Sequence, residues 1–261
     1  GGSSVAQKIA KIMGMESVSS VRRVAYLHCA GSREKAVEKY RYDGISDCRM
    51  AVTLGGGPKL CSYGCMGYGS CVKVCNFGAL SMGPDGLPVV DRMKCTGCGA
   101  CVRICPKKLF SLLPDSVSIY LACSSHEKGK TVKDACSVGC IGCGICAKVT
   151  AGSAVTIEDN LPKVDYDAAP NLVIAHYKCP TKSYIDLATK RPHLTIDTKC
   201  KGTGKCAEVC PVKGCVSGEP GQQHRIDPYA CIGCGLCLDV CPEKAIRVVG
   251  AMGYVGMDMS R

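Results

Sequence analysis

The sequence predicts an α+β chain of small tandem modules folded around bound metal, and three observations carry that prediction. The 261 residues hold 24 cysteines, many of them in runs spaced C-x2-C-x2-C-x3-C. The clearest run is CTGCGACVRICP, from Cys95 to Pro106. Short strand–turn–strand stretches lie between such runs, as in GALSMGPDGLPVVD over residues 78–91. The chain also has two Phe and no Trp, so large apolar side chains are too few to build an ordinary core. In this spacing three cysteines wrap one [4Fe–4S] cube and the fourth ligates a neighbouring cube. Gly97 and Gly99 let the backbone turn tightly around it. The expected architecture is therefore tandem bacterial-type [4Fe–4S] ferredoxin modules, plus a small α/β cluster-binding segment wrapped around the first module.

In a short secreted chain this cysteine density would suggest disulfides. Here the spacing argues for metal and a reducing compartment. The formal charge of +11 treats each Cys as neutral. Six oxidised cubes, each carrying about 2−, would bring it to about −1. The Lys/Arg excess thus either compensates the clusters internally or steers an acidic electron carrier, and a nucleic-acid partner is not expected. No apolar run reaches 18 residues and no signal peptide is read. The chain starts GGSSVAQ without Met, so a fragment lacking a membrane anchor is expected.

Taken in order, residues 4–14 read as a short helix, 21–28 as a strand ending at Cys29, 33–42 as a solvated helix, and 45–54 as a helix carrying Cys48. GGGP at 55–58 breaks the chain. GGGPK lacks the Lys-Ser/Thr pair and βαβ context of a phosphate loop. Residues 1–58 and 106–139 form the α/β segment, and 59–105 form a two-cluster module. In its first half Tyr68 stands where the second Cys belongs, and Cys61 is the natural replacement. Crossed ligation predicts one cube on Cys61, Cys65, Cys71 and Cys105, and another on Cys95, Cys98, Cys101 and Cys75.

VSIYLAC at 117–123 echoes VAYLHC at 24–29, and ISDC at 45–48 has a counterpart in VKDAC at 132–136. Residues 140–180 hold a module reduced to one cube, on Cys140, Cys143, Cys146 and Cys179, with Thr150 at the place of a lost Cys. Cys29, Cys48, Cys123 and Cys136 lie at matching points of the repeat and are expected to share a further cube. The alternative is four buried free thiols. Cys136, Cys140 and Cys143 also have the spacing of radical S-adenosylmethionine enzymes. Gly142 replaces the aromatic residue, and no βα repeat follows to build a barrel.

Residues 181–194 read as a linker and 195–249 as a second two-cluster module, followed by a tail over 250–261. Cys231, Cys234, Cys237 and Cys210 are expected to hold one cube there. Cys200, Cys206 and Cys241, with Cys215, are expected to hold the other. This becomes a [3Fe–4S] site if Cys215 cannot reach. The five His are read as surface or packing residues, because the cysteines already close the cubes.

Residues 21–180 resemble the B subunit of the Rnf complex, the membrane-bound ferredoxin:NAD oxidoreductase. The matching stretches are VAYLHCAG, GISDCRMA, GGGPKLCSYGCMGYGSCVKVC and ACSSHEKGKTVKDACSVGCIGCGICAKV. The resemblance implies an electron-transfer subunit at the cytoplasmic face of the membrane. It would take electrons from soluble ferredoxin and pass them to other subunits of an ion-translocating complex, with no small-molecule substrate of its own. It also implies an N-terminal membrane helix and a further cluster domain, neither of which is seen in this sequence. Residues 195–249 are similar to extra modules on some such subunits, and to the tail of indolepyruvate ferredoxin oxidoreductase. A subunit of a soluble 2-oxoacid oxidoreductase or hydrogenase, or a free polyferredoxin, stays open. Lys73, Arg92, Lys94, Arg103, Lys107 and Lys108 crowd the first module and are the expected landing patch for an acidic ferredoxin.

Overall fold

Strand pairing divides the chain into three copies of one pattern. The computed structural model describes residues 8, 10–14, 21–188 and 191–250. The first copy runs β1 (Arg23–Leu27), α1 (Cys48–Thr53), α2 (Ser70–Lys73), β2 (Leu80–Met82), β3 (Pro88–Val90), α3 (Ala100–Ile104) and β4 (Phe110–Pro114). The second runs β5 (Ile119–Leu121), α4 (Gly129–Ala135), α5 (Ile145–Val149), β6 (Val155–Glu158), β7 (Leu161–Val164), α6 (Val173–Lys178) and β8 (Tyr184–Asp186). The third runs β9 (His193–Ile196), α7 (Lys205–Glu208), β10 (Val216–Ser217), β11 (Arg225–Ile226), α8 (Leu236–Val240) and β12 (Ile246–Val249). In each copy the outer strand pairs antiparallel with the closing strand: β1 with β4, β5 with β8, and β9 with β12. A hairpin, β2–β3, β6–β7 or β10–β11, lies between two short helices. The expectation of α+β ferredoxin modules holds, and the echo between VAYLHC and VSIYLAC corresponds to β1 and β5.

Alternation along β1 joins the first two copies. Ala25 and Leu27 face a cysteine-lined core with Leu80, Leu109 and Phe110. Val24 and Tyr26 face Leu113, Tyr120 and Ala122. The Tyr26 and Tyr120 rings meet edge to face at 5.0 Å, a favoured aromatic geometry. Two hydrogen bonds complete the seam: Ala30 N–H donates to Ala122 O at 2.9 Å, and the His28 ring Nδ1 lies 2.7 Å from Leu121 O.

Residues 33–42 are not helical. Their backbone is used for pairing instead, with bridges Ala36↔Cys136 and Glu38↔Lys59. Val37 N–H donates to Ala135 O at 2.9 Å, and Leu60 N–H donates to Val37 O at 2.8 Å. This strip draws the loops of Cys61 and Cys136 together. The stretch 181–194 is more than a linker, because β8 lies within it and closes the second copy on β5. Most of the helix expected over 4–14, and the tail beyond Gly250, lie outside the described residues.

Candidate metal centres

Each cluster loop is set by a left-handed glycine. Gly69, Gly99, Gly144, Gly204 and Gly235 cap α2, α3, α5, α7 and α8, with φ between 70° and 80°. L residues rarely adopt this region. Each helix then buries a cysteine two residues on: Cys71, Cys101, Cys146, Cys206 or Cys237. Gly97 is required for a second reason, since a Cβ there would stand 2.5 Å from the carbonyl oxygen of Arg23.

The Cys-Pro cysteines are equivalent in all three copies. Cys105, Cys179 and Cys241 each accept, at 3.4 Å, from the amide four residues on, those of Leu109, Ser183 and Ala245. The isolated Cys179 thus occupies the same local structure as the others. Thr150, standing for the lost cysteine, is buried with an unpartnered hydroxyl.

The thiols are grouped by cavity. One cavity is lined by Cys75, Cys95, Cys98 and Cys101, the set expected from crossed ligation. Two other cavities depart from expectation. Cys48, Cys65, Cys71 and Cys105 line one, and Cys29, Cys61, Cys123 and Cys136 line the other. Cys48 and Cys61 have exchanged places. Cys48 starts α1, and its amide donates to Ser70 Oγ at 2.7 Å, which sets it beside Cys71 at the start of α2. Cys136 instead follows the end of α4, so the repeat that matched Cys48 with Cys136 fails at this point.

In the second copy Cys140, Cys146 and Cys179 share one core, with Cys143 exposed at its edge. The buried Tyr184 hydroxyl lies against the Cys146 thiol and has no nitrogen or oxygen partner. In the third copy Cys206 neighbours Cys200 and Cys241. Cys215 does not join them. It is 2% exposed and sits against Cys210 and Cys231. Five cysteines thus surround one site and three the other.

All 24 cysteines are free thiols. Burial pushes the Cys65, Cys71 and Cys140 thiols up to about 12. A metal centre must therefore displace their protons on binding. Among the described residues no three His, Cys, Asp or Glu converge closely enough for a single metal ion. Cavities lined by four separate soft thiolates, with amides aimed at the sulfurs, fit an iron–sulfur cube. The histidines take packing roles where they are buried: His28 sits between Leu121 O and Ser111 Oγ, and burial lowers its pKa.

The expected landing patch is mostly engaged within the chain. Lys73 Nζ donates to Ser46 O, Lys107 Nζ to Ser62 O and Arg103 to Cys98 O. Arg92 binds Asp115, and Lys94 pairs with Asp91 at 3.4 Å. Lys73, Lys94, Arg103 and Lys108 stay exposed, and Arg103 reaches the carbonyl of exposed Cys98. Lys59, outside the expected site residues, is buried at 5% exposure and lines the cavity of Cys29, Cys61, Cys123 and Cys136.

Three stretches of the chain match [4Fe–4S] domain families. Residues 60–109 match the 4Fe-4S dicluster domain, and 197–213 and 224–247 each match a 4Fe-4S binding domain. The B subunit of an ion-translocating oxidoreductase complex from Methanosarcina acetivorans is 41% identical over 70% of this chain and 69% of its own length. The B subunit of a proton-translocating ferredoxin:NAD(+) oxidoreductase complex from Clostridium ljungdahlii is 45% identical over 69% of this chain and 64% of its own. Its Na(+)-translocating counterpart from Acetobacterium woodii is 40% identical over 69% of this chain and 54% of its own. The chain, an electron-transfer subunit built on [4Fe–4S] domains, belongs to the family of B subunits of ion-translocating oxidoreductase complexes.

Proposed function

We propose that this chain is a linear electron wire of six cluster sites, which takes electrons from a reduced ferredoxin and relays them within a membrane-bound ferredoxin:NAD oxidoreductase. Bound clusters supply one-electron transfer, and the chain's residues hold, space and shield them. The observation that carries the reading is the position of the site formed by Cys29, Cys61, Cys123 and Cys136. The Cys65 amide donates to Cys29 Sγ at 3.3 Å, and the Cys140 amide donates to Cys123 Sγ at 3.3 Å. Ligands of the first and second copies thus each touch this central site.

The order follows. Cys75, Cys95, Cys98 and Cys101 form one end, with Cys98 exposed, Arg103 bound to its carbonyl, and exposed Lys94 and Arg103 as landing residues. Next come Cys48, Cys65, Cys71 and Cys105, then the central site, then Cys140, Cys143, Cys146 and Cys179. Cys234 packs into the core of Cys140 and Cys146, and Asn171 Nδ2 donates to its carbonyl at 2.7 Å. This passes the wire to Cys210, Cys231, Cys234 and Cys237. Cys200, Cys206 and Cys241 end it, as a three-cysteine [3Fe–4S] site.

Stopped-flow mixing with reduced ferredoxin tests the reading. Several electrons per chain should be accepted, at a rate that falls with salt and falls further in Lys94→Glu/Arg103→Glu. A protein reduced by dithionite but not by ferredoxin at low salt refutes it. Equal rates in the charge-reversed chain remove the landing residues.

A further inference from the structure

Lys59 is a buried cation without a buried anion. Its side chain is almost fully enclosed, at 5% exposure. Its Nζ donates to the carbonyl of Gly31. Among the described residues no carboxylate forms an ion pair with it. Burying an unpaired charge is costly, so such groups are paired or lie beside a bound ion. The residue lines the cavity of Cys29, Cys61, Cys123 and Cys136. Gly31, whose carbonyl it holds, lies against the sulfurs of that site: a Cβ there would meet Cys136 Sγ at 3.3 Å and Cys29 Sγ at 3.7 Å. On the other side the Lys59 stem passes Gly64, the residue before Cys65, where a Cβ would meet Lys59 Cδ at 3.4 Å. The backbone holds it there: Lys59 bridges Glu38, and Leu60 N–H is tied to Val37 O. Neither a phosphate loop nor a solvated surface describes this lysine.

We propose that Lys59 is the internal counter-ion of the cluster held by Cys29, Cys61, Cys123 and Cys136, and that its charge raises the reduction potential of that cluster. The inference rests on the reading of those four cysteines as a cluster site. Each one-electron reduction, with the electron supplied by ferredoxin through the neighbouring site, adds one negative charge to the cluster. A fixed, buried ammonium at close range stabilises the reduced form more than the oxidised form. Lys59 acts as a positioning charge and takes no part in ligation.

Reduction potentials of the full chain, followed by EPR-monitored titration, test this in Lys59→Met, Lys59→Gln and Lys59→Arg. Iron is counted in each sample. The signal belonging to the central site is the one that Cys136→Ala removes. In the neutral variants that signal should titrate at a more negative potential, and in Lys59→Arg it should stay near the wild-type value. Iron loss in both neutral variants with retention in Lys59→Arg also supports the proposal, since the site then needs the charge to hold its cluster. An unchanged potential in a neutral variant with full iron overturns it. So does iron loss in all three variants, which would mark Lys59 as packing alone. Failure of the underlying reading looks different: Cys136→Ala would keep all its iron and remove no signal.

Discussion

The amide of Cys65 donates to the sulfur of Cys29 at 3.3 Å, although the two residues are 36 positions apart in the chain. One is a ligand candidate of the first module, the other of the central site. Cys140 repeats the contact on the far side, onto Cys123. N–H···S bonds of this kind stabilise negative charge on sulfur and give a short covalent-plus-hydrogen-bond route between clusters. If the central site is the bridge, Cys136→Ala divides the wire. Freeze-quench EPR after mixing with limiting reduced ferredoxin should show the C-terminal module reduced in the wild type and left oxidised in the variant. Dithionite should still reduce both halves. Unimpaired passage of ferredoxin electrons through Cys136→Ala would show that the route runs elsewhere.

The third copy predicts a composition. With Cys215 against Cys210 and Cys231, the Cys200, Cys206 and Cys241 site has three thiols, and Thr203, at the sequence position of the missing cysteine, is exposed. The air-oxidised protein should show a [3Fe–4S] EPR signal. Thr203→Cys should abolish the signal and add about one iron per chain, and Cys215→Ala should leave both signal and iron unchanged. Loss of iron in Cys215→Ala would return that thiol to the ligand set.

Tyr184 should tune the cluster of the second copy. Its hydroxyl is buried beside Cys146. Burial, then the Cys146 sulfur, raise its pKa, so it stays protonated and able to donate. Tyr184→Phe removes this donor at a stability cost of about 1 kcal/mol. The cluster of Cys140, Cys143, Cys146 and Cys179 should shift to a more negative potential in a redox titration, and an unmoved potential would exclude the O–H···S contact.

The cap of α1 predicts a pH dependence. Arg49, through its side chain and then its amide, holds the Asp47 carboxyl down at about 2. A depressed carboxylate contributes stability above the ordinary carboxylate range and loses it as pH falls through the folded value. The cap that positions Cys48 is therefore intact throughout pH 5–9. Asp47→Ala should release iron to a chelator faster than wild type by a factor that stays constant over that range, and Asp47→Asn, which can still cap, should not. A factor that changes with pH over that range, or an equal loss in Asp47→Asn, would exclude the capping oxygen of Asp47 as what holds Cys48 in place.

Much of this was legible in the spacing, and the failures have physical causes. The tight loops need cysteines two residues apart with left-handed glycines, so the sets of Cys95 and Cys231 could be read from short stretches. Cys179 could be found because the Cys-Pro turn carries its own amide-to-sulfur bond. Cys48 and Cys61 could not be placed from spacing. Cys61 is only four residues from Cys65, yet Gly64 folds back on it and the chain turns into another cavity. Cys48 is far from Cys71 in sequence, and a single bond to Ser70 brings it there. The helical look of residues 33–42 was overruled by pairing with two other loops, a tertiary effect that local charge pattern does not encode.

Iron per chain in paired cysteine variants tests the central claim most directly. The wild type should hold about 23 iron atoms, from five four-iron sites and one three-iron site. Cys48→Ala/Cys71→Ala removes two ligands of one site and should lose about four irons. Cys48→Ala/Cys136→Ala removes one ligand from each of two sites and should lose about eight. The reverse pattern, with Cys48 and Cys136 costing one site together, or a Cys136 variant that keeps all its iron, would contradict the central site and with it the wire.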